Sequence, residues 1–191
     1  MSWPLHKNKE NVYWTWRENI FTDQELDRII EQGLEAGVRD ATVGVGSVDS
    51  YRASGVSWLS TADSELDWIY ERLEPLVSQV NDDYFKFDLT EILPLQFTTY
   101  DETNQGHYKP HLDLGRSQPN RKLSFSLQLS DPFSHEGGTL QFPYNLVEPE
   151  VAPKARGKII FFPSFMLHEV TPVTKGTRYS LVGWVSGPLF R

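Results

Sequence analysis

The chain has 191 residues and a formal net charge of −8, so it is long enough to bury a sizeable core, and one domain is expected. Its acidic balance argues against a protein that coats nucleic acid or an anionic membrane through its overall field. With no cysteine it has no disulfide framework, thiolate zinc site or iron–sulfur cluster. The start, MSWPLHKNKENVYW, lacks the apolar core of a signal peptide, and no apolar run approaches bilayer length; the expectation is a soluble cytoplasmic protein.

The aromatic, β-branched run NVYWTW predicts a first strand over 11–16. In FTDQELDRIIEQGLEAG, Thr22 and Glu25 form a capping box, and Leu26, Ile29, Ile30 and Leu34 recur at helical spacing. Gly37 ends that helix. Residues 38–57 are rich in Gly, Ser and Asp without apolar periodicity, which predicts a long loop with room for a short hairpin, either a lid, for which its length is suited, or a variable connection. A second helix is predicted over 62–80, with Leu66, Ile69, Leu73, Leu76 and Val80 on one face and a bend or break at Pro75. From Phe87 onward the chain reads as short strands bounded by Gly, Pro, Asp or Asn. In KLSFSLQLS, Leu123, Phe125, Leu127 and Leu129 alternate with Ser124, Ser126 and Gln128. With two helices upstream, the apolar face is expected to pack on helices and the polar face to line a site. Turns are expected at 136–138 and 155–157.

Chemistry concentrates in YDETNQGHYKPHLD and LHEVTPVTKGTRYS. Residues two apart on a strand share a face, so His111 and Asp113 would project into one cavity. His168, on a distant strand, supplies a third donor. Two imidazoles and one carboxylate suit a divalent transition metal and leave positions open, the facial arrangement of non-haem Fe(II) oxygenases. Arg178, ten residues after His168, suits a carboxylate-bearing co-substrate, because a guanidinium grips a carboxylate with two prongs. Ser180 and Trp184 share its face by period two. Tyr100 shares a face with Gln96 and Thr98. By the same parity Tyr108 points away from His111, while His107 shares its parity but lies across an expected turn. His6 and His135 have no partners in sequence and are expected to be exposed. Lys109, Arg116, Arg121 and Lys122 cluster around the first metal-binding segment, as a local basic rim or as solvated loop charges.

These segments, from Leu95 to Trp184, resemble the Fe(II)/2-oxoglutarate dioxygenases of the prolyl 4-hydroxylase-like group. The resemblance implies a mainly β protein with flanking helices (α+β): a double-stranded β-helix, a jelly-roll or cupin-like barrel, buttressed by N-terminal helices. Residues 1–90 would give helical support and a lid loop closing over a peptide, and 91–191 the core. It further implies Fe(II) on His111, Asp113 and His168, and 2-oxoglutarate with its distal carboxylate on Arg178. Tyr100, Ser180, Gln128 and Trp184 are candidate co-substrate neighbours, Gln128 standing where the family often has tyrosine. With O2 as oxidant and ascorbate as a candidate reductant, the implied reaction hydroxylates an unactivated C–H bond and releases succinate and CO2. The implied partner is a proline-containing peptide or protein; a free amino acid or other small molecule is the alternative. A nucleic-acid demethylase is disfavoured, because that branch usually carries a second arginine where this chain has Pro172. A non-catalytic cupin-like binding module is the reading from another class, since one barrel hosts many functions.

Overall fold

The computed structural model describes residues 13–41, 51–143 and 148–190. In chain order the elements are β1 (Thr15–Arg17), α1 (Asp23–Glu35), β2 (Arg39–Asp40), β3 (Arg52–Ala53), β4 (Gly55–Leu59), α2 (Asp67–Val80), β5 (Glu91–Ile92), β6 (Leu95–Asp101) and β7 (His107–His111). They continue as β8 (Arg121–Gln128), β9 (His135–Gly137), β10 (Leu140–Phe142), β11 (Glu150–Val151), β12 (Ile159–Pro163), β13 (His168–Val170) and β14 (Val173–Ser186). The major sheet runs β1-β12-β8-β14-β6-β4-β2, with β5 and β9 also pairing with β14; the minor sheet runs β11-β10-β13-β7-β3. All pairings are antiparallel, giving the two facing sheets of a double-stranded β-helix.

Strand alternation divides the interior into two cores. Leu123, Phe125, Leu127, Phe97, Phe161 and Leu181 point outward from the major sheet and bury against Leu26 and Ile29 of α1 and Ile69, Leu73 and Val80 of α2. The opposite face, with Ile160 and Phe162 of β12, meets Leu140, Phe142 and Val170 of the minor sheet. The β8 polar residues thus face the barrel interior, as expected.

Both helices form as predicted, with local differences. Thr22 and Glu25 complete the capping box of α1, and Gly37 follows its end at φ +82°. Leu34, expected on the buried stripe, is 46% exposed. The close approach is made by Gly33 instead, whose missing side chain leaves room for the Phe97 ring. Gly33→Ala would gain about 1 kcal/mol of helix propensity, but overpacking against a core aromatic costs about 1–3 kcal/mol. Because the overlap falls at the base of the ring, we expect a net loss of about 1–2 kcal/mol, read as a lower Tm. Helix α2 runs through Pro75 without a break and buries Ile69, Leu73, Leu76 and Val80; Leu66, the fifth predicted stripe residue, is buried in the turn just before it.

The expected long loop with a short hairpin is corrected in part: Arg39–Asp40 pairs antiparallel with β4, but Arg52–Ala53 also joins β7, and β4 (Gly55–Leu59) pairs with β6 along its length. Ser57, a polar residue that hides the strand pattern, is buried because its hydroxyl donates to the Gly33 carbonyl. The two sheets therefore recruit strands from before residue 90. The rest of the expected lid, residues 42–50, lies outside the described residues, as do His6 and the start of the first predicted strand. Among the described residues, no helix is long and apolar enough to cross a membrane.

Candidate metal and co-substrate site

His111 ends β7 and His168 begins β13, and the two are direct partners across the minor sheet. Asp113 lies just beyond β7, where its backbone N–H and that of Leu114 donate to the Ser164 carbonyl at 3.0 and 2.8 Å. The ligand atoms of His111, Asp113 and His168 all lie within 4.8 Å of one another, forming the cluster of metal-donor side chains found among the described residues. Each imidazole is fixed by its own segment: Nδ1 of His111 pairs with the Lys109 carbonyl at 2.8 Å and Nδ1 of His168 with that of Met166 at 2.9 Å. A carbonyl only accepts, so both Nδ1 atoms carry a proton, and in the neutral ring this tautomer leaves the Nε2 lone pair for a ligand bond. Those Nε2 atoms face opposite oxygens of one carboxylate, His111 at 3.8 Å from Asp113 Oδ1 and His168 at 3.5 Å from Oδ2.

The electrostatics suit a cation. Burial, reinforced by His168 and only partly offset by Asp113, pushes the His111 imidazole down to about 3, so it is neutral and available as a ligand at ordinary pH. Burial alone would raise the Asp113 carboxyl, but the attraction of the His168 and His111 rings in their protonated forms and a hydrogen bond from Ser124 outweigh it and hold the group below its usual range. Ser124 Oγ donates to Asp113 Oδ2 at 2.7 Å. The buried Trp184 indole N–H adds to the field on Asp113 without reaching hydrogen-bond geometry. Removal of such outer partners typically costs 10–100-fold in metal affinity, so we expect Ser124→Ala to weaken Mn(II) or Fe(II) binding by about tenfold or more, measured by anaerobic titration.

Further along the interior, Arg178 is 2% exposed. Its Nη2 donates to Gln128 Oε1 at 2.9 Å and its Nη1 to Ser180 Oγ at 3.3 Å, and the guanidinium lies 5.4 Å from the Tyr100 ring centre. Among the described residues no carboxylate pairs with it. Both of its hydrogen-bond acceptors are neutral, and an uncompensated buried charge costs several kcal/mol, so this arrangement is matched to a ligand anion. The donor set and this unpaired guanidinium both fit a divalent metal with a carboxylate co-substrate.

A cavity of about 300 Å³ joins the two groups, lined by Tyr100, Ser180, Trp184 and Arg178 together with the three metal donors. Gln128 sits behind Arg178 and holds it, outside the cavity wall. Tyr108 is a correction: its ring stacks on His111 at 3.4 Å between centres and lines the cavity. Between His168↔His111 and Val170↔Tyr108 the register shifts, so one extra residue on β7 reverses the parity beyond it. Pro110, which cannot donate to a ladder, falls in that bulge and was the available signal. His107, inside β7, stays outside the donor cluster. His135, expected exposed, is buried, and burial together with Arg178 and Lys154 lowers its pKa. Arg121 and Arg52 also line the cavity.

A double-stranded β-helix with two imidazoles and a carboxylate converging in its interior is the architecture of a mononuclear non-haem metal oxygenase. The family model described as the 2OG-Fe(II) oxygenase superfamily matches residues 95–186. A PKHD-type hydroxylase from Crocosphaera subtropica is 32% identical over 178 residues, covering 88% of this chain and 76% of the relative. The chain belongs to the 2OG-Fe(II) oxygenase superfamily. Shorter matches to the PKHD-type hydroxylases of Hyphomonas neptunium and Prochlorococcus marinus, 36% and 40% identical over 42% and 45% of this chain, span only 35% and 39% of those relatives. Two solved structures share the fold. A prolyl-4-hydroxylase from Pseudomonas putida superposes with TM-score 0.75 at 20% identity, covering 91% of this chain and 92% of its own. A prolyl hydroxylase from Trichoplax adhaerens, in complex with a hypoxia inducible factor oxygen degradation domain peptide fragment, superposes with TM-score 0.76 at 16% identity, covering 91% and 83%.

Proposed function

We propose that the chain folds as one domain and is an Fe(II)- and 2-oxoglutarate-dependent dioxygenase that hydroxylates a prolyl residue in a peptide or protein. The observation that carries this reading is Arg178, a buried guanidinium with only neutral partners in the wall of the cavity that His111, Asp113 and His168 also line. A cupin-like module with a structural metal needs neither an open cavity beside the metal nor an unpaired cation in its wall. The peptide substrate is supported by the peptide-bound Trichoplax neighbour, and proline by the names of both neighbours.

In this reading His111, Asp113 and His168 hold the metal through two imidazole Nε2 atoms and a carboxylate, their orientation set by the Lys109 and Met166 carbonyls and Ser124. Arg178 receives the distal carboxylate of 2-oxoglutarate, with Ser180 and Tyr100 beside it and Gln128 keeping the guanidinium in place. Once bound, metal and co-substrate supply the activation of O2, with one oxygen atom going to the substrate C–H bond and the other into succinate as CO2 leaves. The chain contributes position and a dry wall: Phe162, Leu140, Val170 and Trp184 exclude water on the cavity's apolar sides.

The test is to supply Fe(II), 2-oxoglutarate and air with proline-containing peptides, with the same peptides carrying alanine for proline, and with free proline. We expect succinate production stimulated by the proline peptides, with one oxygen atom added to the prolyl residue by mass spectrometry. Stimulation by free proline alone would overturn the peptide substrate, and no succinate in any arm would overturn the dioxygenase.

A further inference from the structure

Beyond the groups assigned to metal and co-substrate, the cavity wall holds two more guanidiniums, Arg52 and Arg121. Neither is ion-paired among the described residues, although the chain carries 26 acidic side chains against 18 basic ones. Each is held by neutral groups. Arg52 lies 4.5 Å over the Tyr108 ring and donates to Ser54 Oγ at 2.8 Å and to Gln96 Oε1 at 3.0 Å. Arg121 lies 3.8 Å over the Trp184 ring, and its Nε is buried without a hydrogen-bond partner. The supporting rings border the proposed metal site, Tyr108 stacking on His111 and Trp184 acting on Asp113. Both cations are thus placed on the metal side of the cavity by faces that do not cancel their charge.

Charge balance says what they await. Three arginines and a divalent metal, set against Asp113 and doubly charged 2-oxoglutarate, leave two positive charges uncompensated in a partly closed cavity. In such a space a cationic wall focuses its field on an incoming anion even when the protein as a whole is acidic. The same wall carries Trp58 and Leu112, each 50% exposed, with Trp58 6.1 Å from Trp184 between ring centres. The surface is therefore amphipathic, an apolar shelf beside two cations.

We propose that the substrate presents a carboxylate to Arg52 and Arg121 while its apolar part rests on Trp58 and Leu112, so that the enzyme selects an anionic substrate. This rests on the oxygenase reading above for its metal and co-substrate charges. The carboxylate comes either from an Asp or Glu flanking the target residue in a peptide or from the α-carboxylate of a small amino acid.

The test is binding without turnover, by calorimetry on the protein loaded anaerobically with Fe(II) and 2-oxoglutarate. Matched pairs differ only in charge: proline peptides with flanking Asp or Asn, and Glu or Gln, then N-acetylproline and its amide. We expect the carboxylate member of at least one pair to bind about tenfold tighter or more, less so at high salt. The pair that shows it identifies the source. Arg52→Gln and Arg121→Gln should each reduce that preference, and Arg52→Lys should retain more of it than Arg52→Gln. Equal affinity within about twofold for every pair, or a preference unchanged in both glutamine variants, would overturn the proposal. Because the readout is binding, absence of succinate in air would count against the oxygenase reading alone.

Discussion

Replacing His111 by alanine is expected to abolish metal binding and turnover together. His111 supplies one of the three donor atoms that converge within 4.8 Å. Loss of an outer hydrogen bond to a ligand typically costs 10–100-fold in metal affinity, so loss of the ligand itself should exceed about 100-fold. The effect should be seen without activity. A metal at about 100 times its Kd stabilises the folded state by roughly 2.7 kcal/mol, so wild-type protein should show a metal-dependent rise in Tm that the variant lacks. His111→Ala also removes the partner on which the Tyr108 ring stacks, so its metal-free Tm must be compared with metal-free wild type. Equal metal affinity in the two proteins would remove His111 from the ligand set.

Arg178→Ala should separate the two halves of the site. The guanidinium does not touch the metal donors; its hydrogen bonds go to Gln128 and Ser180. Metal affinity should therefore stay near wild type. Affinity for 2-oxoglutarate should fall, because truncating one partner of a buried, hydrogen-bonded charge pair costs about 2–5 kcal/mol, roughly 30-fold to several-thousand-fold. The variant should also fold, since it deletes a buried charge whose protein partners are neutral. Titration of 2-oxoglutarate into the Fe(II)-loaded variant reads the effect, and affinity within about threefold of wild type would place the co-substrate elsewhere.

The parts of this site legible in sequence are those governed by local periodicity. His111 and Asp113 share a face because they are two residues apart, and Arg178, Ser180, Val182 and Trp184 share one for the same reason; all six line one cavity. Strand β8 was legible from its strict alternation, because the apolar face covers the helices while Ser124 and Gln128 reach Asp113 and Arg178. What failed was set by distant contacts. Tyr108 was misplaced because a bulge at Lys109–Pro110 reverses parity within one short strand. Arg52 was hidden because the strand that follows it, β4, carries Gly55 and Ser57, small or polar residues whose places against β6 and α1 are set by distant contacts. Leu34 fits the helical stripe yet is exposed, because α1 approaches the sheet through Gly33. The carbonyls that fix both imidazoles belong to residues two before each histidine, a relation of backbone geometry that no side-chain pattern records.

The central claim, a metal held by His111, Asp113 and His168 with 2-oxoglutarate reaching from it to Arg178, is tested most directly by anaerobic visible spectroscopy. Fe(II) is added to the purified protein, then 2-oxoglutarate. The account predicts a weak charge-transfer band on addition of 2-oxoglutarate, present in wild type, absent in His111→Ala and restored in Arg178→Ala only at far higher 2-oxoglutarate concentration. No band in wild-type protein at saturating Fe(II) and 2-oxoglutarate would contradict it.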